Sequence, residues 1–203
     1  MTILHQMHVS GNCYKVRLAA HQLSVPLTLK DYGLHDGSTR TLQFLKLNPN
    51  GRVPLLEFDD GRTLPESGAI LYHLSDGSPL QPGNAWDRAQ MLQWMFFEQY
   101  SHEPYIAVAR FWLAFAKPEE LEKKRHLVPE WHAKGNAALG VMENHLKTHD
   151  WFAGKSYSIA DIALYGYTHV AGDGGFDLSA YPAVSAWLAR VAAEPKHIVI
   201  SER

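Results

Sequence analysis

Residue types able to do chemistry concentrate at three short places in this sequence. The first is "SGNC" (10–13), where a hydroxyl, a carboxamide and the chain's one thiol fall within four residues, just ahead of a helix-patterned run. A thiol at a helix N-terminus can titrate below the free-cysteine value of about 8.5, which makes Cys13 a candidate nucleophile able to form mixed disulfides. The second is Val53-Pro54, at the head of a strand-like run, where a proline that cannot donate to a ladder is tolerated. The third is Glu66-Ser67, which opens a helix. Helix starts offer free N–H groups and a partial positive charge, so these two residues read equally as anion-binding groups or as plain caps.

Other motifs fail on spacing. "AGKS" (153–156) ends like a phosphate loop, but His149 stands where the motif needs its first glycine. "GDGG" (172–175) lacks the third glycine of a dinucleotide fingerprint and follows a helix. There is no HExxH or GxSxG among the 203 residues. Of the 12 histidines, His145 and His149 lie one helical turn apart without an evident third ligand, so no metal site is expected. A net charge of −2 favours neither nucleic acid nor an anionic membrane. No apolar run approaches the roughly 18 residues of a bilayer span, and the N-terminus lacks the pattern of a signal peptide. One cysteine excludes an internal disulfide and points to a reducing cytoplasm.

The elements that must position these residues fall into two halves. Residues 2–9 read as a strand. Over 13–23, Val16, Ala19, Ala20 and Leu23 mark one helix face. Residues 26–32 alternate as a strand, and 39–47 form a short helix stopped by Asn48-Pro49. Runs 53–58 and 62–65 flank the hairpin turn "DDG", and 67–74 closes the half as a helix, giving βαβαββα. Residues 76–85 read as a linker. From Trp86 onward only helix signals appear: 86–100 running into Pro104, then 105–116, 118–125, 131–148, 157–170 and 182–194. The clearest cap is Ser158 with Asp161 three residues later, a shortened capping box with Tyr157 and Ile162 at the staple positions. The expected architecture is α+β, with domains at 1–76 and 86–203.

Five stretches in order, "SGNCYKVRLA", "NPNGRVPLL", "LPESGAILYHL", "YSIADIALYGY" and "YPAVSAWLARV", resemble the cytosolic glutathione transferases, in particular bacterial members of the serine or cysteine type. The resemblance spans both halves. It implies a thioredoxin-like N-terminal domain that binds glutathione, an all-helical C-terminal domain with a site for a hydrophobic co-substrate, and a role in detoxification.

The resemblance also assigns roles. Pro54 becomes a cis-proline that turns the Val53 N–H and C=O toward glutathione's cysteinyl backbone, a strand addition in miniature. Glu66 suits the γ-glutamyl ammonium, and Ser67 the γ-glutamyl carboxylate through its N–H and hydroxyl. Arg52 suits the glycyl carboxylate, with Arg40 and His35 as lesser candidates. Gly68 stands where many insect relatives carry arginine, so one carboxylate contact is missing or moved. Ser10 matches the serine that several branches place after strand one, and Asn12 can assist through its amide. Lowering a thiol pKa from about 8.5 to about 6.5 needs about 2.7 kcal/mol. One hydroxyl hydrogen bond supplies about 1.5–3 kcal/mol and the helix N-terminus roughly 0.3–1 kcal/mol, so no general base is required.

The electrophile is expected against residues 97–112, with Tyr105 and Arg110 the principal candidates beside Tyr100, His102, Phe111 and Trp112. If buried, Arg110 must be paired, with Glu98 or Glu103. A homodimer is implied, without nucleic acid, membrane or metal. Two competing readings stay open: a disulfide reductase or dehalogenase built on Cys13, and a non-catalytic interaction module. Members of the latter kind typically lack the serine or the Glu-Ser pair, and this chain keeps both.

Overall fold

The computed structural model describes residues 2–202; Met1 and Arg203, the outer ends of the two expected domains, lie outside the described residues. The chain divides into two compact units, Met1–Gln81 with Glu194–Arg203, and Pro82–Ala193.

The first unit runs β1 (Ile3–Gln6), α1 (Gly11–Leu23), β2 (Thr28–Asp31), a 3₁₀ turn at Ser38–Arg40, α2 (Leu42–Leu47), β3 (Leu55–Glu57), β4 (Thr63–Pro65) and α3 (Ser67–Leu74). The sheet order is β2-β1-β3-β4, with β1 parallel to β2 and both other pairings antiparallel. The order of elements is the βαβαββα read from the patterns, and the sheet is the thioredoxin-like arrangement that the resemblance implies. Leu4, Val16, Leu56 and Ile70 bring β1, α1, β3 and α3 into one core. β1 ends earlier than the apolar run suggests. The Ser10 N–H donates to the Met7 carbonyl at 3.0 Å, and that turn takes residues 7–9 out of the sheet and delivers Ser10 to the start of α1. His5 is fully buried yet satisfied, its ring nitrogens 2.8 Å from the Tyr32 hydroxyl and 2.7 Å from Glu57.

Residues 194–203, which sequence reading assigned to the helical half, group with the first unit. Side chains of α1 hold their backbone. The Tyr14 hydroxyl donates to the Ile198 carbonyl at 2.7 Å, Arg17 Nη2 donates to the Ile200 carbonyl at 2.7 Å, and His21 Nδ1 lies 2.8 Å from the Lys196 carbonyl.

The second unit is helical: α4 (Ala85–Phe97), α5 (Glu103–Arg110), α6 (Pro118–Lys124), α7 (Val128–Leu146), α8 (Ile159–Thr168) and α9 (Pro182–Ala192). Pro104 does not break the first of these. Having no N–H, it leaves a carbonyl of the preceding turn without its usual donor. The chain widens into a π turn over Glu98–His102, where the Glu103 N–H reaches back to the Glu98 carbonyl. A second π turn spans Phe111–Phe115. No described helix is long and apolar enough to cross a membrane.

The Ser158–Asp161 box caps α8 and does more than cap. The Asp161 carboxylate accepts from the Ser158 N–H at 3.0 Å and the Ser158 hydroxyl at 3.1 Å. It also accepts from the Phe152 N–H at 3.2 Å and from Trp187 Nε1–H of α9 at 3.0 Å. Tyr157 and Ile162, at the staple positions, are both buried. Burial outweighs the four donors and pushes Asp161 up to about 6 from the ordinary 3.8. Between those values the folded protein holds the proton more tightly than the unfolded chain, so this group's stabilisation falls as pH rises. Compared with Asp161→Asn by chemical denaturation, the wild type should lose roughly 3 kcal/mol of relative stability between about pH 3 and about pH 7.

Candidate active site

Ser10 is the N-cap of α1, with extended backbone (φ −73°, ψ 125°), and its Oγ accepts from the Cys13 N–H at 3.4 Å. The lone pair therefore serves the helix. The hydroxyl also lies within hydrogen-bonding reach of the Cys13 thiol, and Ser10 is half-buried at the surface. A serine hydroxyl is both donor and acceptor, and a donor is the polarity a thiolate needs.

Cys13, three residues on, faces the opposite way in chemical terms. It is fully buried, its Sγ accepts from the Met7 N–H at 3.4 Å, and burial pushes its thiol up to about 11. That burial favours the buried, inert alternative for Cys13 over the reactive one. The helix N-terminus and its two hydrogen bonds do not offset the loss of water around a thiolate.

Asn12 is half-buried, and its carboxamide oxygen accepts from Lys15 Nζ at 2.7 Å and from the Ser67 hydroxyl at 3.3 Å. The second contact joins the start of α1 to the start of α3. It brings together two of the sequence-predicted stretches, 10–13 and 66–67. Ser67 is buried, and its hydroxyl proton points to Asn12, which leaves its N–H as the donor for a carboxylate. Lys15, also fully buried, was not anticipated as a site residue; its one signal is a lysine inside the otherwise helix-core run "CYKVRLAA".

Glu66 caps α3 at φ 72°, ψ 117°, a region that a residue with a Cβ rarely adopts, and its side chain is exposed. Such a conformation costs about 1–3 kcal/mol and persists where a site requires it. No feature of the sequence signals it. Replacing Glu66 with glycine, for which positive φ carries no penalty, should raise the melting temperature, readable by differential scanning calorimetry.

The third stretch is placed as expected at its centre. The Val53–Pro54 bond is cis. Val53 is half-buried, and neither its N–H nor its C=O has a backbone partner among the described residues. The turn before it is fixed by Asn48, whose side chain donates to the Arg52 carbonyl at 2.8 Å. Arg40 Nη1 donates to the Asn50 carbonyl at 2.9 Å. Gly51 is required there: its φ is +62°, and a Cβ would sit 2.5 Å from that guanidinium. Arg52 and His35 are exposed.

The first unit matches the N-terminal domain of glutathione S-transferases over residues 4–82, and residues 92–195 match the C-terminal domain. The chain belongs to the glutathione S-transferase family. It is similar to a glutathione S-transferase from Pseudomonas fluorescens Pf-5, with 48% identity, 99% of each chain covered and a TM-score of 0.95. It is also similar to a possible glutathione S-transferase from Rhodopseudomonas palustris, with 50% identity, 100% of this chain and 91% of that one covered, and a TM-score of 0.96. Among curated proteins it is 27% identical over 191 residues to the disulfide-bond oxidoreductase YfcG of Escherichia coli, covering 91% of this chain and 87% of the relative.

Within the family frame, the candidates on the second unit separate. Arg110 is buried and its Nε donates to Asp173 Oδ2 at 3.0 Å, with the guanidinium 4.7 Å from the centre of the Phe115 ring. That carboxylate is not one of the two anticipated, and the pair ties α5 to the 3₁₀ turn at Ala171–Gly174. Arg110 is thereby engaged in structure, not offered as a free cation. His102 is buried against Thr168 Oγ1 at 2.9 Å, whereas Tyr100 is exposed. Tyr105 is half-buried with Lys134 Nζ 5.1 Å above its ring. Among the described residues, no group of three or more His, Cys, Asp or Glu side chains is placed to hold a metal.

Proposed function

We propose that this transferase binds glutathione along Val53, anchors its γ-glutamyl end at Glu66 and the Ser67 N–H, and holds its sulfur as a thiolate through the Ser10 hydroxyl for attack on a hydrophobic electrophile. The observation that carries the reading is Ser10: a half-buried hydroxyl at the N-cap of α1, whose O–H can turn to an incoming thiolate beside the helix N-terminus. The Val53 backbone supports it, since unpaired strand-like groups suit the cysteinyl N–H and C=O of a peptide. The thiolate forms a bond to the electrophilic carbon as that carbon's leaving group departs with its electron pair. Arg52, with Arg40 behind it, is the candidate for the glycyl carboxylate. Tyr105 is the better of the two named candidates for the electrophile, because Arg110 has its own carboxylate. The enzyme works as a homodimer in the cytoplasm, as a member of the serine-type branch.

A disulfide-reductase reading draws on the relation to the Escherichia coli oxidoreductase, but in the form that depends on Cys13 it needs a reactive thiol, and this one is buried. Retention on immobilised glutathione together with a chromogenic aryl-halide conjugation assay tests the proposal. Binding with conjugation is expected, and neither binding nor conjugation would leave an interaction module as the better description. Conjugation lost in Cys13→Ala but kept in Ser10→Ala would transfer the chemistry to the thiol.

A further inference from the structure

Lys15 has no role in the chemistry derived so far, yet its environment is unusual. A lysine is almost never fully buried, because its ammonium loses water that few sites replace. Lys15 has no exposed surface, and its Nζ donates to Asn12 Oδ1 at 2.7 Å. An ammonium carries three donors and no acceptor, so the atom it touches must be the carboxamide oxygen. This fixes an orientation that an asparagine alone leaves ambiguous. The Ser67 hydroxyl, 3.3 Å away, meets the same oxygen. With its oxygen turned to an ammonium and a hydroxyl, Asn12 turns the NH₂ end of its carboxamide away from them. Asn12 lies two residues after Ser10 at the opening of α1.

We infer that Lys15 is a positioning residue: it locks the Asn12 carboxamide so that an N–H donor, and not the oxygen, meets the glutathione sulfur beside the Ser10 hydroxyl. The inference rests on the proposed thiolate site at Ser10. Its physical content is a sign. A flipped amide would aim a partial negative charge at an anion, so the same residue would oppose thiolate formation instead of assisting it. Lys15 acts through Asn12 and does not touch sulfur. The contact with Ser67 runs through the same oxygen, so one chain of hydrogen bonds links the thiol end of the ligand to its γ-glutamyl end.

The test is the apparent pKa of enzyme-bound glutathione, read from thiolate ultraviolet absorbance, with kcat and glutathione KM for an aryl halide. In Lys15→Met the thiol pKa should rise by about half to one unit and kcat should fall roughly three- to tenfold, with KM for glutathione changed less than about twofold. Lys15→Arg, which keeps donors, should recover most of both. In an Asn12→Ala background, Lys15→Met should add less than about twofold, because a positioning residue has nothing left to position. A wild-type thiol pKa in Lys15→Met, or full additivity with Asn12→Ala, overturns the inference. Should Lys15→Met fail to fold, Asn12→Asp decides: with a second oxygen in place of the NH₂ group its thiol pKa should exceed that of Asn12→Ala, and a lower value overturns the inference. A lowered thiol pKa in the wild type that Ser10→Ala raises, but Lys15→Met leaves alone, removes the role of Lys15 only. No lowering in the wild type removes the thiolate site, and the role of Lys15 with it.

Discussion

Ser10→Ala is expected to lower kcat/KM for aryl-halide conjugation roughly 10- to 100-fold, while Cys13→Ala stays within about threefold of the wild type. The first figure is the loss of one hydrogen bond to an ion, about 1.5–3 kcal/mol, converted to rate. It is an anion-specific loss, so bound glutathione should titrate at higher pH in the variant and the fall in kcat should shrink as pH is raised. Ser10→Ala also removes the N-cap of α1, at a cost of about 1 kcal/mol in stability. Ser10→Thr keeps both the cap and the donor and should stay close to wild-type rate. For Cys13 the argument runs through burial: with no exposed surface and a thiol pushed up to about 11, it offers almost no thiolate at neutral pH. Its replacement is felt through packing. Rates against pH for the three variants, with melting curves as the control for folding, check the set.

Asp161→Ala is expected to be the most destabilising single change among the residues discussed. It would leave the Phe152 N–H, the Ser158 N–H and the Trp187 indole N–H without their acceptor, all of them buried. At about 1–3 kcal/mol for each orphaned donor, partly relieved by relaxation, the loss should come to about 3–5 kcal/mol. For a chain of this size that corresponds to a fall in melting temperature of roughly 10 °C or more, readable by differential scanning calorimetry. Ser158→Ala removes a cap hydroxyl but keeps the Ser158 N–H contact, so its effect should be nearer 1 kcal/mol. If the two variants melted alike, Asp161 would be a cap and nothing more, and the link from α8 to Trp187 of α9 would not contribute.

The contrast between these residues shows what a linear sequence exposes. The capping box was legible because it is local: both partners sit three residues apart and their types declare the geometry. That the same carboxylate also holds Trp187, 26 residues on, has no local sign. The helix Ser67–Leu74 and the face of Val16, Ala19 and Ala20 followed from periodicity, since burial on one side is a property of spacing. Strand ends were poorly legible, because the turn that stops β1 is set by one backbone hydrogen bond to Ser10.

Within the candidate site, the family resemblance singles out Ser10, Asn12, Val53, Glu66 and Ser67, but it does not give their geometry. Neither the positive φ of Glu66 nor the Lys15–Asn12–Ser67 chain leaves a mark in composition or period. At Cys13 the sequence leaves open whether the thiol at the helix start is reactive or buried, because burial is a tertiary fact. Arg110 followed the rule that a buried guanidinium is paired, while the carboxylate given to it, Asp173, lies 63 positions away. The segment 194–203 carries no helix signal and no hint that α1 side chains hold its carbonyls.

The central claim is most directly tested by a crystal structure of the protein with bound glutathione. The sulfur should lie within about 3.5 Å of Ser10 Oγ, with the cysteinyl backbone paired to the Val53 N–H and C=O and the γ-glutamyl ammonium at Glu66. A sulfur bonded to Cys13, or a tripeptide seated away from Val53, would contradict the account.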